Sequence, residues 1–135
     1  MADAFHCNFD TAGINAQLDA MHQATGDAIR PAAQAGAQVF YRAVISNVQA
    51  HRHTGKLASA IYQVFSTDNS VDGKKATYHV SWNAKKAPHG HLVEHGTSRM
   101  AARPFVRPAF DAVQGQGLQA AVAEFEQSMH QFLGR

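Results

Sequence analysis

The chain has 135 residues, 45% of them apolar and 16% charged, which is enough apolar material for one packed core and too little charge for wholesale disorder. Net charge is only +2, but residues 51–107 hold nine Lys or Arg against Asp68, Asp72 and Glu94, while each flank is net −2. A uniformly basic or acidic binding protein is thereby excluded, and what remains is a basic middle that suits an acidic partner, nucleic acid or a solvated loop surface.

The first ten residues carry Asp3 and Asp10 with no Lys or Arg, unlike a secretory signal. From there, Ile14, Leu18 and Met21 recur at helical spacing behind Asp10 and Thr11, either of which suits an N-cap, and they predict a first helix. Beyond Gly26 and Asp27, the series Ile29, Ala33, Ala37, Phe40, Val44 and Val48 predicts a second, longer helix ending near His53. Pro31 fits only if it lies in that helix's first turn. Gly36 is its local weak point.

The β-branched and aromatic run from Ser59 to Ser66 predicts a strand, and the strict alternation of Ala76, Tyr78, Val80 and Trp82 with polar residues predicts another. Asp68, Asn69, Ser70 and Asp72-Gly73 supply turn chemistry between them, so the pair reads as a hairpin with a long loop. A loop rich in Gly, His and Arg follows. After it, Phe110, Val113, Leu118, Val122, Phe125, Met129 and Phe132 predict a C-terminal amphipathic helix with Pro108 in its first turn, loosened by Gly115 and Gly117. The expected fold is α+β: N-terminal helices and a C-terminal helix packed on a small antiparallel sheet, in a single domain over residues 1–135. No apolar run approaches the roughly 20 residues that span a bilayer, so no membrane partner is expected.

The most enzyme-like letters are His91, Glu94 and His95, which match the H-x-x-E-H pattern of inverted zinc peptidases. On a helix the two histidines lie one turn apart and Glu94 is placed to polarise a metal-bound water. Against this, Gly90 and Gly96 leave room for barely more than one turn, and a third ligand is lacking nearby. The same histidines, with His89, also suit adventitious metal or plain solvent exposure. The single cysteine, Cys7, excludes an internal disulfide and points to a reducing compartment; beside it His6 lacks an orienting third group, so nucleophilic catalysis is not expected. The Gly-x-Gly at 115 and 117 falls inside a helical pattern, not in a strand-to-helix phosphate loop. Tyr62, Phe65, Tyr78 and Trp82 in the basic middle offer base-stacking surfaces, but at strand spacing they read more simply as core. No cofactor and no catalysis are expected.

The stretch from His89 to Asp111, with Gly90, Val93-Glu94, Gly96-Thr97, then Arg99, Arg103-Pro104-Phe105 and Arg107-Pro108-Ala109, resembles the signature of the tail-completion, or head-to-tail joining, family of long-tailed bacteriophages. Thr54-Gly55-Lys56-Leu57, followed by Ser59 and Ile61, resembles that family's Thr-Gly-basic-Leu element between a long helix and the first strand. Together the blocks cover about residues 40–130. One departure is His95, where the family usually has an aromatic residue; that replacement creates the apparent peptidase motif and counts against a catalytic reading.

The resemblance implies a non-enzymatic virion protein at the head–tail junction, assembled in the bacterial host cytoplasm. It implies a homo-oligomeric ring, hexameric or higher, around the DNA passage, in contact with head connector or neck proteins and with tail tube or tail terminator proteins. Non-specific contact with passing DNA is part of that reading, and a tail terminator or other minor tail protein is the alternative within it. From another class, a small zinc hydrolase on His91, Glu94 and His95 is the rival, and a free DNA-binding regulator a third. On the residues themselves, Gly55 is expected in a left-handed conformation with Thr54 bonding local backbone. Glu94 is expected to pair with Arg99, Arg103 or Arg107, within the loop or across a subunit boundary. Phe105, between Pro104 and Arg107-Pro108, is expected to anchor the loop in the core or in a neighbour.

Overall fold

The computed structural model describes residues 10–50 and 55–134. Helix α1 (Ala12–Ala50, 39 residues) is followed by a short helix α2 (Lys56–Ala60), then by the antiparallel strands β1 (Ile61–Phe65) and β2 (Tyr78–Trp82). A six-residue helix α3 (Gly90–His95) and a long helix α4 (Val106–Leu133, 28 residues) complete the chain. The fold is α+β, with two long helices and a two-stranded sheet. No helix among the described residues is long and apolar enough to cross a membrane.

The two N-terminal helices expected from the sequence are one. At 1.5 Å per residue α1 runs for about 58 Å, straight through Gly26 and Pro31. Asp10 begins it, its Oδ1 accepting the Ala12 backbone N–H at 2.9 Å. Pro31 lies well inside the helix but on its exposed side, where water can solvate the carbonyl that the missing N–H leaves free. Its buried neighbours Ala28 and Ala32 face inward. Helix α4 lies alongside α1 over most of its length, and this continuous packing outweighs the local cost of the proline. The expected extension towards His53 lies outside the described residues.

Small residues let the two long helices meet. A Cβ on Gly36 would stand 3.1 Å from the Gly117 carbonyl oxygen and 3.4 Å from the Ala121 Cβ. Gly36 and Gly117, weak points by propensity, are therefore the crossing point of α1 and α4. Gly115 meets nothing within 4 Å and plays no such part.

In the sheet, Ile61, Gln63 and Phe65 pair with Trp82, Val80 and Tyr78 on one face, while Tyr62 and Val64 pair with Ser81 and His79 on the other. The first set faces the helices, which is why Tyr62 and Val64 stay exposed. Strand β1 begins two residues later than Ser59 because α2 occupies that stretch, launched from Gly55 at φ 75°. In the hairpin loop Ser70 bonds Ser66 and its Oγ accepts the Thr77 N–H, and the loop tip at Gly73 closes on Gly26 of α1. Arg30 of α1 sits over the Phe65 ring at 4.1 Å, a cation–π contact that ties α1 to β1.

The core lies towards one end of the helix pair. Val44, Val48, Ile61, Phe105 and Ala109 form it, with Phe40, Leu57, Val80, Trp82 and Val93 packed against them. Edge-to-face contacts between Trp82 and Phe105 (5.4 Å) and between Phe40 and Phe110 (5.8 Å) fix how α4 begins. The opposite end is thin.

The two helical glycines have opposite roles, and urea unfolding separates them. Gly115→Ala, free of neighbours, is expected to raise stability by about 0.5–1 kcal/mol through helix propensity. Gly36→Leu, forced against α4, is expected to lower it by about 1–3 kcal/mol. Equal effects in the same direction would show that the helices do not meet at Gly36.

Candidate functional site

The segment from Gly90 to Pro108 is built on a wall that the sheet supplies. Gly90, fully buried, opens α3 against Trp82; a Cβ there would stand 2.5 Å from the indole Nε1. Upstream, Asn83 shapes the entry, its Oδ1 accepting the Lys85 N–H at 2.9 Å, and Ala87 is fully buried beneath the turn. The helix lasts just over a turn and ends at Gly96, whose φ of 77° and N–H bond to the Leu92 carbonyl at 2.7 Å require the residue that tolerates this conformation. A side chain at Gly96 would also meet the Ala102 backbone N at 2.7 Å.

Beyond Gly96 the loop is tied at short intervals. Thr97 N–H donates to the Met100 carbonyl at 2.8 Å, and Thr97 Oγ1 accepts the N–H groups of Arg99 and Met100. Arg103 N–H returns to the Val93 carbonyl at 2.8 Å. The chain is then delivered to Phe105, which is 1% exposed. Its carbonyl accepts a bond from Asn47 Nδ2 of α1 at 3.2 Å.

Glu94 holds the two ends of this loop together. Its Oε2 accepts the backbone N–H groups of Phe105 (2.8 Å) and Val106 (3.1 Å), and its Oε1 accepts that of Arg107 (3.3 Å). These are unsatisfied donors of the first turn of α4, and a carboxylate there also meets the positive end of the helix dipole. Within the chain, backbone N–H groups stand where the expected arginine side chain would be. The physical reason is geometric: α3 points Glu94 at the start of α4, and three converging N–H groups make a fixed acceptor site that a flexible surface guanidinium does not match. Pro108 fits within that first turn, where its missing N–H leaves no helical bond unmade.

The surface around Glu94 is basic because exposed Lys and Arg outnumber it. Arg99, Arg103 and Arg107 are exposed, as are Lys85, Lys86 and Lys56. The apolar Leu92 (39% exposed) and Met100 (40%) stand among them. Of the residues singled out from the sequence, Gly96, Thr97 and Pro104 shape this loop, Phe105 anchors it, Arg99 and Arg103 are exposed on it, and Arg107 is exposed on the first turn of α4. Gly55 and Lys56 belong to the α2 turn, and Thr54 lies outside the described residues. Asn47 gave no signal in the sequence, since its role depends on α1 and α4 being neighbours.

The arrangement does not make His91, Glu94 and His95 a metal centre. Both Glu94 oxygens are occupied by the brace, and both histidines are exposed. Among the described residues no group of three or more His, Cys, Asp or Glu side chains is arranged to hold a metal ion. What the site can do chemically is present a positively charged, shape-persistent loop.

Glu94→Ala leaves three helix-terminal N–H groups without their acceptor and is expected to cost about 1–3 kcal/mol in chemical unfolding. Glu94→Gln keeps one carbonyl oxygen and should fall between Ala and Glu. Hydrogen exchange at Phe105 and Val106 should accelerate in both; unchanged exchange together with unchanged stability would show that the brace carries no weight.

Comparison with known proteins agrees with a structural role. Residues 12–96, from the start of α1 to the end of α3, match the family model described as "Bacteriophage HK97-gp10, putative tail-component". The match ends at Gly96, so the arginine-bearing loop and α4 lie beyond the matched residues. No curated protein and no solved structure matches the chain. With more than half of its length matched by that one model, the chain belongs to the HK97 gp10-like family of bacteriophage tail components and is a structural protein of the virion tail.

Proposed function

We propose that this tail component completes the tail at the head–tail junction, as a non-enzymatic neck protein that assembles into a ring, hexameric or higher, around the DNA passage. The observation that carries this reading is the braced basic loop. Its backbone is tied at Thr97, Arg103 and Phe105, and its one acidic residue, Glu94, is engaged by backbone, so Arg99, Arg103 and Arg107 are exposed on a fixed frame that stays net positive with Glu94 counted. Such a loop, repeated around a ring, offers a positive rim to passing DNA or to the acidic face of a neighbouring ring. The 135 residues act in this reading as one domain, whose core clamps the loop and whose helix pair reaches outward. Its neighbours are head connector or neck proteins on one side and tail tube or terminator proteins on the other.

Labelling purified particles with an antibody to this protein tests the placement. Label is expected at the junction between head and tail; label confined to the tail shaft or distal tip, or absence of the protein from purified particles, would overturn it. Contact with DNA is expected to be weak and salt-sensitive. Replacing Arg99, Arg103 and Arg107 together by Ala should leave thermal stability unchanged, because all three are exposed, and should lower the slope of log affinity against log salt by about 2–3. An unaltered slope would mean that the loop does not face nucleic acid.

A further inference from the structure

Helix α3 and the loop after it carry two kinds of exposed side chain close together. Leu92 is 39% and Met100 40% exposed, and the carbonyls of both residues lie against one glycine. The Gly96 N–H donates to the Leu92 oxygen at 2.7 Å, and a Cβ on Gly96 would stand 3.1 Å from the Met100 oxygen. Arg103 is held alongside by its N–H bond to the Val93 carbonyl at 2.8 Å, and Arg99 directly precedes Met100. Across residues 85–111, Lys85, Lys86, Arg99, Arg103 and Arg107 stand against Glu94 and Asp111, so this segment is net +3 with both acidic residues counted.

That mixture selects among partners. A phosphate backbone is met by cations and N–H donors, and exposed Leu92 and Met100 gain nothing from it. Burial against apolar side chains does stabilise them, and Met and Arg are both enriched where proteins meet. An arginine guanidinium also bonds a carboxylate through two parallel N–H groups. The frame is already fixed by the bonds of Thr97, Arg103 and Glu94, so docking has little left to order. A second copy of this chain is a poor match. Helices α1 and α4 hold Asp19, Asp27, Asp111, Glu124 and Glu126, no two of them three or four positions apart, so neither helix offers paired carboxylates on one face. In the hairpin loop Asp68 and Asp72 are followed by Lys74 and Lys75.

We infer that Leu92 and Met100, together with Arg99 and Arg103, dock an acidic segment of a different protein of the particle, one in which Asp or Glu alternate with apolar side chains. The carboxylates take the guanidinium groups and the apolar side chains cover Leu92 and Met100. Passing DNA is met by charge alone. The inference rests on the neck reading and names the chemistry of the neighbour that the loop touches.

Photocross-linking tests it in the assembled particle, with benzoylphenylalanine in place of the exposed Met100. Irradiation of purified particles is expected to join the chain to another particle protein, at a segment that mass spectrometry shows to mix acidic and apolar residues. Adducts confined to nucleic acid or to a second copy of this chain would overturn the inference and leave the junction reading intact. Absence of the chain from purified particles would overturn both. In solution, the full chain is titrated with a Glu/Leu peptide, a Glu/Ser peptide of equal length and charge, and a short DNA duplex. Replacing Leu92 and Met100 together by Ser is expected to weaken the Glu/Leu peptide by about tenfold, with the other two probes and the thermal midpoint unchanged. An equal loss for the duplex, or no loss for any probe, would overturn the inference.

Discussion

The Glu94 carboxylate bonds the backbone at the start of α4, and much else in the molecule follows from where that helix begins. Because Oε2 takes the Phe105 and Val106 N–H groups, Phe105 is delivered into the core edge-on to Trp82. From there α4 can only run back along α1, which brings Gly117 to Gly36 and Met129 to Thr25. The loop between α3 and α4 is closed by the same contact. A single acidic side chain thus couples the local geometry of a basic loop to the register of the long helix pair, and it does so through main-chain donors that any sequence at those positions except proline would provide.

This use of Glu94 also resolves the motif in which it sits. His91, Glu94 and His95 have the spacing of a zinc peptidase, yet a general base must have a free oxygen directed at a metal-bound water. Here both oxygens point into the frame of the loop and the imidazoles point to solvent. The letters of an enzyme are present without its geometry, in a family of structural tail components.

The distribution of packing suits a protein that works in an assembly. Its core is concentrated where the sheet, α3 and the two helix ends meet, while the far end of the helix pair carries exposed Ile14, Leu18 and Leu133. An isolated soluble monomer rarely leaves so much apolar surface along one element uncovered. The fold therefore separates a packed end, which carries the basic loop, from a sparsely packed end with exposed apolar side chains.

Local patterns in the sequence were enough for the α+β class, for the two strands, whose alternation at Tyr78, Val80 and Trp82 reports one buried face, for the left-handed Gly55 and for Pro108 in the first turn of α4. Each of these is decided by residues within a turn or a strand of one another. The same local reasoning divided α1 at Gly26 and Pro31, because the packing of α4 that carries the helix through them comes from residues nearly a hundred positions away. It read Gly36 and Gly117 as weaknesses, although together they form a close crossing. In the loop the important residues were visible as types, and Glu94 was matched to Arg99, Arg103 or Arg107, within the loop or across a subunit boundary. Within the chain its partners are backbone N–H groups, which are present at almost every residue and so leave no mark in the sequence; only the tertiary structure, by aiming α3 at the first turn of α4, decides which of them it meets.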